Sequence, residues 1–123
     1  MTNNDFIASN LTVSNADELC IGGVSVAALA QKYGTPLYIM DEDAIRARCR
    51  EYVSAMQSEL GDRFRVLYAS KACSFKRIYQ IIGEEGLGAD VVSCGEIYTC
   101  QKAGFDLGRV FFHSNNKTDE DIA

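Results

Sequence analysis

The sequence lacks the features that define several large classes of protein. No apolar run approaches the roughly 18 residues that a membrane-spanning helix needs. Residues 1–10 are polar and lack a basic segment followed by an apolar run, so no secretory signal is indicated. There is no basic run, and the net charge is −5, which argues weakly against nucleic acid or an anionic membrane as a partner. We therefore expect a cytoplasmic protein.

Cysteine is present, but not in a pattern that builds a scaffold. The five cysteines are odd in number and include no CxxC pair, which disfavours both a disulfide framework and a zinc site. The sequence contains a single histidine, and no metal-ligand cluster or Ser/His/Asp constellation can be assembled from it. We therefore expect reduced thiols and no metal.

The composition is that of one small globular domain. The chain has 123 residues, of which 47% are hydrophobic and 24% charged, so that a core can form and disorder is not indicated.

The first half of the chain predicts only a few elements. We expect an irregular segment over residues 1–24. A short helix follows, capped by Ser25 and ended by Gly34. Residues 36–40 predict a strand, and Asp41 begins a longer helix with an apolar stripe that Gly61 stops.

The second half alternates regularly between strands and helices. Strands are predicted over residues 65–70, 89–92 and 109–113, and helices begin at Ser74, Ser93 and Thr118. Ser93 and Thr118 each open a capping box, with Glu96 and Asp121 as the acidic partners. Such alternation with short loops predicts parallel strands joined by βαβ crossovers.

Two parallel architectures compete, a doubly wound sheet and a (β/α) barrel. No GxGxxG loop follows the first of these strands, where Lys-Ala-Cys-Ser stands instead, and this favours the barrel. A complete barrel needs eight strands and about 250 residues. We therefore predict an α/β fold that is a partial TIM-like (β/α)8 barrel of about three βα units, either a fragment or a chain that relies on others to cover its sheet edges. Residues 1–35 are assigned to a sheet domain and residues 36–123 to the barrel.

Lys71 is the strongest candidate for chemistry, because active sites of barrels gather at the carboxyl ends of the strands. If it were held among Tyr68, Ala69, Ala72 and Cys73, it would lose hydration, which lowers the pKa of an amine and frees it to form an imine. The alternative is an ordinary solvated lysine at the end of a strand.

Asp90 and His113 follow at the ends of the next two strands. Asp90 could accept a hydrogen bond from the lysine or from a cationic substrate, or be a plain aspartate at a strand edge. His113 could stack on a ring or relay a proton, or be structural. Glu96 is interpreted as the capping partner of Ser93, without a catalytic role, and residues 115–117 as a polar turn.

Four segments, in the correct order, resemble one known family, the barrel-type pyridoxal-phosphate (PLP) decarboxylases that act on diaminopimelate, ornithine and arginine. They are Gly-Thr-Pro-Leu-Tyr-Ile-Met-Asp-Glu-Asp at 34–43, Tyr-Ala-Ser-Lys-Ala at 68–72, Gly-Leu-Gly-Ala-Asp-Val-Val-Ser-Cys-Gly-Glu-Ile at 86–97 and Phe-His-Ser-Asn-Asn-Lys-Thr at 112–118. The last two resemble the diaminopimelate branch.

The resemblance implies an alanine-racemase-like barrel with a separate sheet domain, to which the strand at 36–40 usually belongs. It implies PLP as the cofactor, with Lys71 bonded to it and with Asp90 and His113 beside it. It also implies decarboxylation of meso-2,6-diaminopimelate to L-lysine, the last step of lysine biosynthesis, by a homodimer.

The resemblance has departures and gaps. Cys73 stands where asparagine or a bulky residue is common, and Cys94 where glycine is usual. The family's Gly-rich phosphate loop, its acid for the pyridine nitrogen, its ring-stacking histidine and its late cysteine come after residue 123, so we expect this chain to be inactive alone. The alternatives are decarboxylation of ornithine or arginine, a non-catalytic PLP-binding barrel protein, and an interaction fragment without cofactor.

Overall fold

A computed structural model describes residues 8–122 of the chain. The fold divides into two compact units, the first ending at Ile45 and the second beginning at Arg46. The assignment of residues 1–35 to a sheet domain and 36–123 to a barrel concerns a larger architecture and stays a prediction. Among the described residues, no helix has both the length and the apolar character that crossing a membrane requires.

The first unit contains an antiparallel sheet that the sequence reading missed. Its strands β1 (Leu11–Val13), β2 (Leu19–Ile21) and β3 (Val24–Ser25) pair in the order β1-β2-β3. Gly22 and Gly23 join the last two strands with φ of 55° and 79°, the backbone of a tight two-residue hairpin. The prediction of an irregular segment is therefore wrong over these residues. Strands of two or three residues are too short to show a clear alternation of polar and apolar positions.

The short helix of the first unit forms as predicted. Helix α1 spans Val26–Tyr33, and the hydroxyl of Ser25 accepts a hydrogen bond from the amide of Ala28 at 3.2 Å. Gly34, with φ of 83°, ends it and donates its amide to Ala30. Both ends are local signals, which is why sequence alone located them.

The strand predicted over residues 36–40 is not present. Residues 37–40 have no regular secondary structure, and the segment pairs with no strand among the described residues. The prediction is wrong for this chain because a strand is defined by its partner, and apolar sequence alone supplies none. Its side chains remain largely in solvent, with Tyr38 94% exposed and Met40 53% exposed.

Helix α2 (Glu42–Leu60) begins and ends where the sequence places it. A carboxylate oxygen of Asp41 accepts the amide of Ala44 at 3.1 Å, and the same side chain accepts the amide group of Asn10 at 3.0 Å. These hydrogen bonds lower the pKa of Asp41. Gly61, with φ of 59°, follows the last turn.

The second unit has three parallel strands in sequence order. They are β4 (Leu67–Ala69), β5 (Gly88–Val91) and β6 (Val110–Phe112), with β5 in the centre. The connecting helices are α3 (Lys76–Glu84) and α4 (Cys94–Ala103), and a short α5 (Asp119–Ile122) follows. The predicted α/β class with βαβ crossovers is thus confirmed, although β4 and β6 are shorter than predicted and β5 is shifted by one residue.

The core of the second unit lies between α3 and the sheet. Ile78, Tyr79, Ile81 and Ile82 are buried on α3, and it packs on β5, where Ala89 and Val91 are fully buried. The ring of Tyr79 meets that of Phe105 edge to face, with centroids 6.1 Å apart. This packing fixes β5, the strand that carries Asp90, from one face.

Helix α3 begins two residues later than predicted. Its N-cap is Phe75, which provides no side-chain hydrogen bond. Ser74, where the helix was predicted to begin, lies outside it and has its hydroxyl 2.8 Å from the buried hydroxyl of Tyr79. The hydroxyl of Ser74 thus pairs with Tyr79 and does not cap the helix, because a buried tyrosine hydroxyl needs a hydrogen-bond partner.

Candidate active site

The carboxyl edge of the parallel sheet brings together the three residues that the sequence singled out. Lys71 follows β4 in a 3₁₀ turn over Ser70–Ala72, Asp90 lies in β5, and His113 follows β6. Asp90 is in register with Ala69 on one side and Phe111 on the other. Parallel pairing puts all three at one edge, as active sites of α/β folds require. Their roles stay predictions.

The surroundings of Lys71 differ from those expected. Lys71 is exposed, and so are Ala69 and Ala72 on either side of it. The predicted desolvation is therefore wrong for this chain, since nothing among the described residues covers the side chain. The turn itself is well held, because the amide of Cys73 donates to the carbonyl of Ser70 at 3.1 Å and the hydroxyl of Tyr68 donates to the carbonyl of Cys73 at 2.9 Å.

Asp90 carries a buried polar atom that lacks a partner. Its Oδ1 is inaccessible to solvent and makes no hydrogen bond to any described residue. A buried acceptor in this state costs roughly 1–3 kcal/mol. Such an orphan at the carboxyl edge of a sheet is a place where a donor from a bound group would fit.

Glu96 does more than cap α4. The hydroxyl of Ser93 accepts the amide of Glu96 at 3.3 Å, which confirms the first half of the predicted capping box. The carboxylate, however, accepts from the amide of Val92 and from the hydroxyl of Ser70, both at 2.6 Å and both through Oε2. It therefore links the turn of Lys71 to the end of β5. The spacing of Ser93 and Glu96 located the carboxylate, but only the strand pairing brings Ser70 to it.

Two tyrosines line the interior beneath this edge. Burial raises the pKa of Tyr79, whose hydroxyl contacts Ser74, and burial likewise raises the pKa of Tyr68. Both are therefore neutral hydrogen-bonding groups that hold the segment after β4, and neither is poised to act as a base near neutral pH.

The five cysteines are free thiols. Cys73 is half-buried in the turn after Lys71, whereas Cys94 is exposed and donates to a carboxylate oxygen of Asp121 at 2.9 Å. That hydrogen bond raises the pKa of Cys94, so its thiolate is disfavoured. Within residues 8–122, no group of three or more His, Cys, Asp or Glu side chains could hold a metal ion.

His113 is exposed, and its backbone amide extends the sheet by donating to the carbonyl of Val91 at 2.8 Å. The residues after it make local contacts. The ammonium of Lys117 lies 3.4 Å from the carbonyl of Ser114 and 5.3 Å from the ring centre of Phe112. Thr118 and Asp121 then form the second predicted capping box, which is confirmed. The amide of Thr118 donates to the carboxylate of Asp121 at 2.8 Å, and the amide of Asp121 donates to the hydroxyl of Thr118 at 3.2 Å.

The whole of this edge falls within a segment that matches a known family. Residues 42–123 match the family described as "Pyridoxal-dependent decarboxylase, pyridoxal binding domain". The match covers more than half of the chain. The chain belongs to the pyridoxal-dependent decarboxylases. The cofactor of this family is pyridoxal phosphate, and the resemblance predicted from four motifs is confirmed.

Among curated pyridoxal-dependent decarboxylases, the chain is similar to two from Bacillus. The diaminopimelate decarboxylase of Bacillus methanolicus is 47% identical over 89% of this chain and 25% of its own length. That of Bacillus subtilis is 49% identical over 83% of this chain and 23% of its own length. The chain thus spans about a quarter of the length of these relatives.

A solved structure of the same family shares the fold. Diaminopimelate decarboxylase of M. jannaschii, in complex with L-lysine, aligns with a TM-score of 0.78 and 34% identity. The alignment covers 99% of this chain and 28% of that one. Both units of the chain therefore have counterparts in a solved decarboxylase.

Proposed function

We propose that this chain forms the lysine-bearing part of a PLP-dependent decarboxylase that converts meso-2,6-diaminopimelate to L-lysine, the last step of lysine biosynthesis. One observation carries the proposal. Lys71 and the unpartnered buried oxygen of Asp90 lie at the carboxyl ends of adjacent, parallel strands. The amine could bond to the aldehyde of PLP, and the unpartnered oxygen could accept a hydrogen bond from the bound group or from the lysine.

The residues of this edge fit PLP. Lys71 offers an amine that solvent, and hence a cofactor, can reach. The free oxygen of Asp90 would accept a hydrogen bond from the bound group or from the lysine, and His113 would stack on a ring or relay a proton. When bound, PLP supplies the electron sink that accepts the electron pair left by the departing carboxylate.

The chain's own residues would position the reacting groups. An amine must be neutral to bond to an aldehyde, and removing a lysine side chain from water favours its neutral form. The amine of Lys71 must therefore be dehydrated when the site is assembled. We propose that this happens when these three consecutive parallel strands form part of a complete, eight-stranded (β/α)8 barrel.

The names of the relatives support the proposed substrate. Two curated relatives at 47% and 49% identity are diaminopimelate decarboxylases, and the solved relative was crystallised with L-lysine, the product of that reaction. We propose a homodimer in the cytoplasm as its working form. The alternatives are ornithine or arginine as the substrate and a non-catalytic PLP-binding barrel, and the two experiments below separate them.

Lys71 is tested by covalent trapping. The complete polypeptide that contains these residues is reduced with borohydride in the presence of PLP, and the labelled peptide is mapped. We expect label on Lys71, loss of label in Lys71→Arg, and retention in Lys117→Arg, which removes another lysine at the same edge. Label on a different lysine would contradict the assignment.

The substrate is tested separately with the same protein. Release of carbon dioxide from diaminopimelate, ornithine and arginine is compared at equal concentrations. We expect turnover of diaminopimelate alone. Preferred turnover of ornithine or arginine would overturn the substrate assignment, and labelling of Lys71 without turnover of any of the three would favour the non-catalytic barrel protein.

A further inference from the structure

The link between Glu96 and Ser70 has a consequence for the neighbouring lysine. Ser70 is fully buried and directly precedes Lys71, and its hydroxyl lies 2.6 Å from Oε2 of Glu96 and 2.8 Å from the carbonyl of Asp90. A hydroxyl has one proton to donate. The closer of the two oxygens belongs to the carboxylate of Glu96, which is also the stronger acceptor. The serine is thereby held against both the cap of α4 and the backbone of Asp90.

We propose that Glu96 is a positioning residue that fixes the turn bearing Lys71, acting through Ser70, in addition to capping α4. This inference rests on the proposed function of Lys71. The evidence is that Oε2 of Glu96 accepts hydrogen bonds from two different segments, from the amide of Val92 after β5 and from the hydroxyl of Ser70 after β4. A carboxylate that only capped its helix would have no contact with the turn after β4.

Ser70 anchors the turn through its backbone as well as its side chain. The backbone of Ser70 closes the 3₁₀ turn by accepting the amide of Cys73 at 3.1 Å, while its side chain is fastened to Glu96 and Asp90. The exposed side chain of Lys71 thus projects from a backbone that is anchored on its buried side. Loss of these hydrogen bonds would leave the amine of Lys71 present but would let it occupy a wider range of positions. The rate of bond formation to a cofactor falls when the reacting groups are positioned less well.

Four single variants, and the double variant of Glu96→Ala with Ser70→Ala, separate positioning from capping. Glu96→Ala removes both hydrogen bonds to Oε2. Ser70→Ala leaves the one from Val92 and removes the one from the turn, together with the contact between Ser70 and the carbonyl of Asp90. Glu96→Gln can retain both because its amide oxygen can occupy the place of Oε2. Asp106→Asn is the matched control, since Asp106 is also a capping carboxylate, with its oxygen 3.0 Å from the amide of Gly108 before β6.

Two readouts are used. The first is hydrogen exchange of the Cys73 amide in the 123-residue chain without cofactor. The second is the rate of borohydride-trapped labelling of Lys71 by PLP in the complete polypeptide. We expect Glu96→Ala and Ser70→Ala each to raise exchange at Cys73 and slow labelling by about tenfold, with Glu96→Gln and Asp106→Asn within about twofold of the wild type. The double variant should lose less than the sum of the two single variants, because both changes break the link between Ser70 and Glu96.

The outcomes keep the two proposals apart. Unchanged exchange and labelling in Ser70→Ala, with an effect only in Glu96→Ala, would overturn the positioning role and leave a helix cap. Additive effects in the double variant would overturn it as well. Absence of label on Lys71 in the wild type would overturn the proposed function instead, while exchange at Cys73 would still decide whether Glu96 holds the turn.

Discussion

At the scale of single residues, this chain concentrates its unusual features at one edge of one sheet. The exposed amine of Lys71, the unpartnered oxygen of Asp90 and the doubly bonded oxygen of Glu96 all lie where β4 and β5 end. A buried acceptor without a donor is costly for folding alone, and functional sites are where proteins retain such costs. The proposed PLP site is thus marked by a buried acceptor that the described residues leave without a donor.

Asp90 should trade stability against cofactor binding. Asp90→Asn removes the carboxylate charge while nearly preserving the shape of the side chain. We therefore expect the free energy of unfolding, measured by urea titration, to rise by about 1 kcal/mol. Labelling of Lys71 by PLP should fall in the same variant, because the acceptor for the bound group is weakened. A variant that is both less stable and labelled as well as the wild type would contradict this role.

Gly88 is required by the close approach of its neighbours. A Cβ at this position would lie 2.6 Å from the backbone carbonyl of Arg109 and 2.6 Å from a methyl group of Leu67. The backbone of a central strand cannot move far, so we expect Gly88→Ala to lower the free energy of unfolding by about 1–3 kcal/mol in urea titrations.

Gly95 provides the matched control for that substitution. The nearest atom to a Cβ there is the hydroxyl oxygen of Ser93 at 3.8 Å, an ordinary contact, and the residue lies within α4. Gly95→Ala should therefore be neutral or slightly stabilising. Equal losses in the two variants would show that close packing at Gly88 is not the cause.

At the scale of elements, charged side chains link two helices that are distant in sequence. Glu85 ends α3, and both of its carboxylate oxygens accept from guanidinium groups of α2, at 2.8 Å from Arg46 and at 2.7 and 2.8 Å from Arg50. Arg46 also pairs with Glu84. Bidentate pairing of this kind is the geometry in which a salt bridge contributes to stability.

This cluster predicts a dependence of stability on pH. The hydrogen bonds from Arg50 and Arg46 lower the pKa of Glu85 from 4.5 to about 2. Because the pKa is lowered in the folded state, the stabilisation is complete above pH 4.5 and is lost as the pH falls from there towards about 2. Glu85→Gln should therefore flatten the decline of the urea midpoint over this range.

Comparison with a second variant isolates the cluster from general acid effects. Asp41 and Asp121 have lowered pKa values too, so some decline will persist in Glu85→Gln. Glu51→Gln removes the partner of Arg48 in an exposed pair on α2, and such pairs contribute little. If the two variants lost stability in parallel with the wild type throughout the acid range, the cluster would not be the source.

At the scale of the whole molecule, the parallel sheet has one face covered and one largely open. Helices pack on the face of Ala89 and Val91, both fully buried, whereas Phe111 on the other face is 43% exposed and has the guanidinium of Arg65 5.4 Å from its ring centre. Among the described residues, β4 and β6 each lack a second neighbour. Further strands of a barrel would cover this face and dehydrate Lys71.

The 123-residue chain alone should therefore fail to decarboxylate diaminopimelate. Its lysine is exposed, and the chain spans about a quarter of the length of its curated relatives. We expect no L-lysine above background in chromatographic assays with PLP present, and labelling of Lys71 that requires far more PLP than the complete polypeptide needs. Turnover by the chain alone would overturn the proposal that barrel closure completes the site.

The sequence by itself determined the features that depend on neighbours along the chain. The caps at Ser25, Asp41 and Thr118 and the order of the three βα units all arise from residues a few positions apart, and this order is enough to put Lys71, Asp90 and His113 at one edge. Motif resemblance then supplied the family, which pattern alone left open.

Only the tertiary structure decided what depends on distant partners. The antiparallel sheet of β1 to β3, the unpaired segment at 36–40, the bond from Ser70 to Glu96 across 26 positions and the exposure of Lys71 were not predicted. Pairing, burial and hydrogen bonding between remote residues are set by which surfaces meet after folding, and no local pattern encodes that choice. The sequence singled out Lys71 as a candidate, and the fold revealed the hydrogen bonds that hold the turn in which it lies.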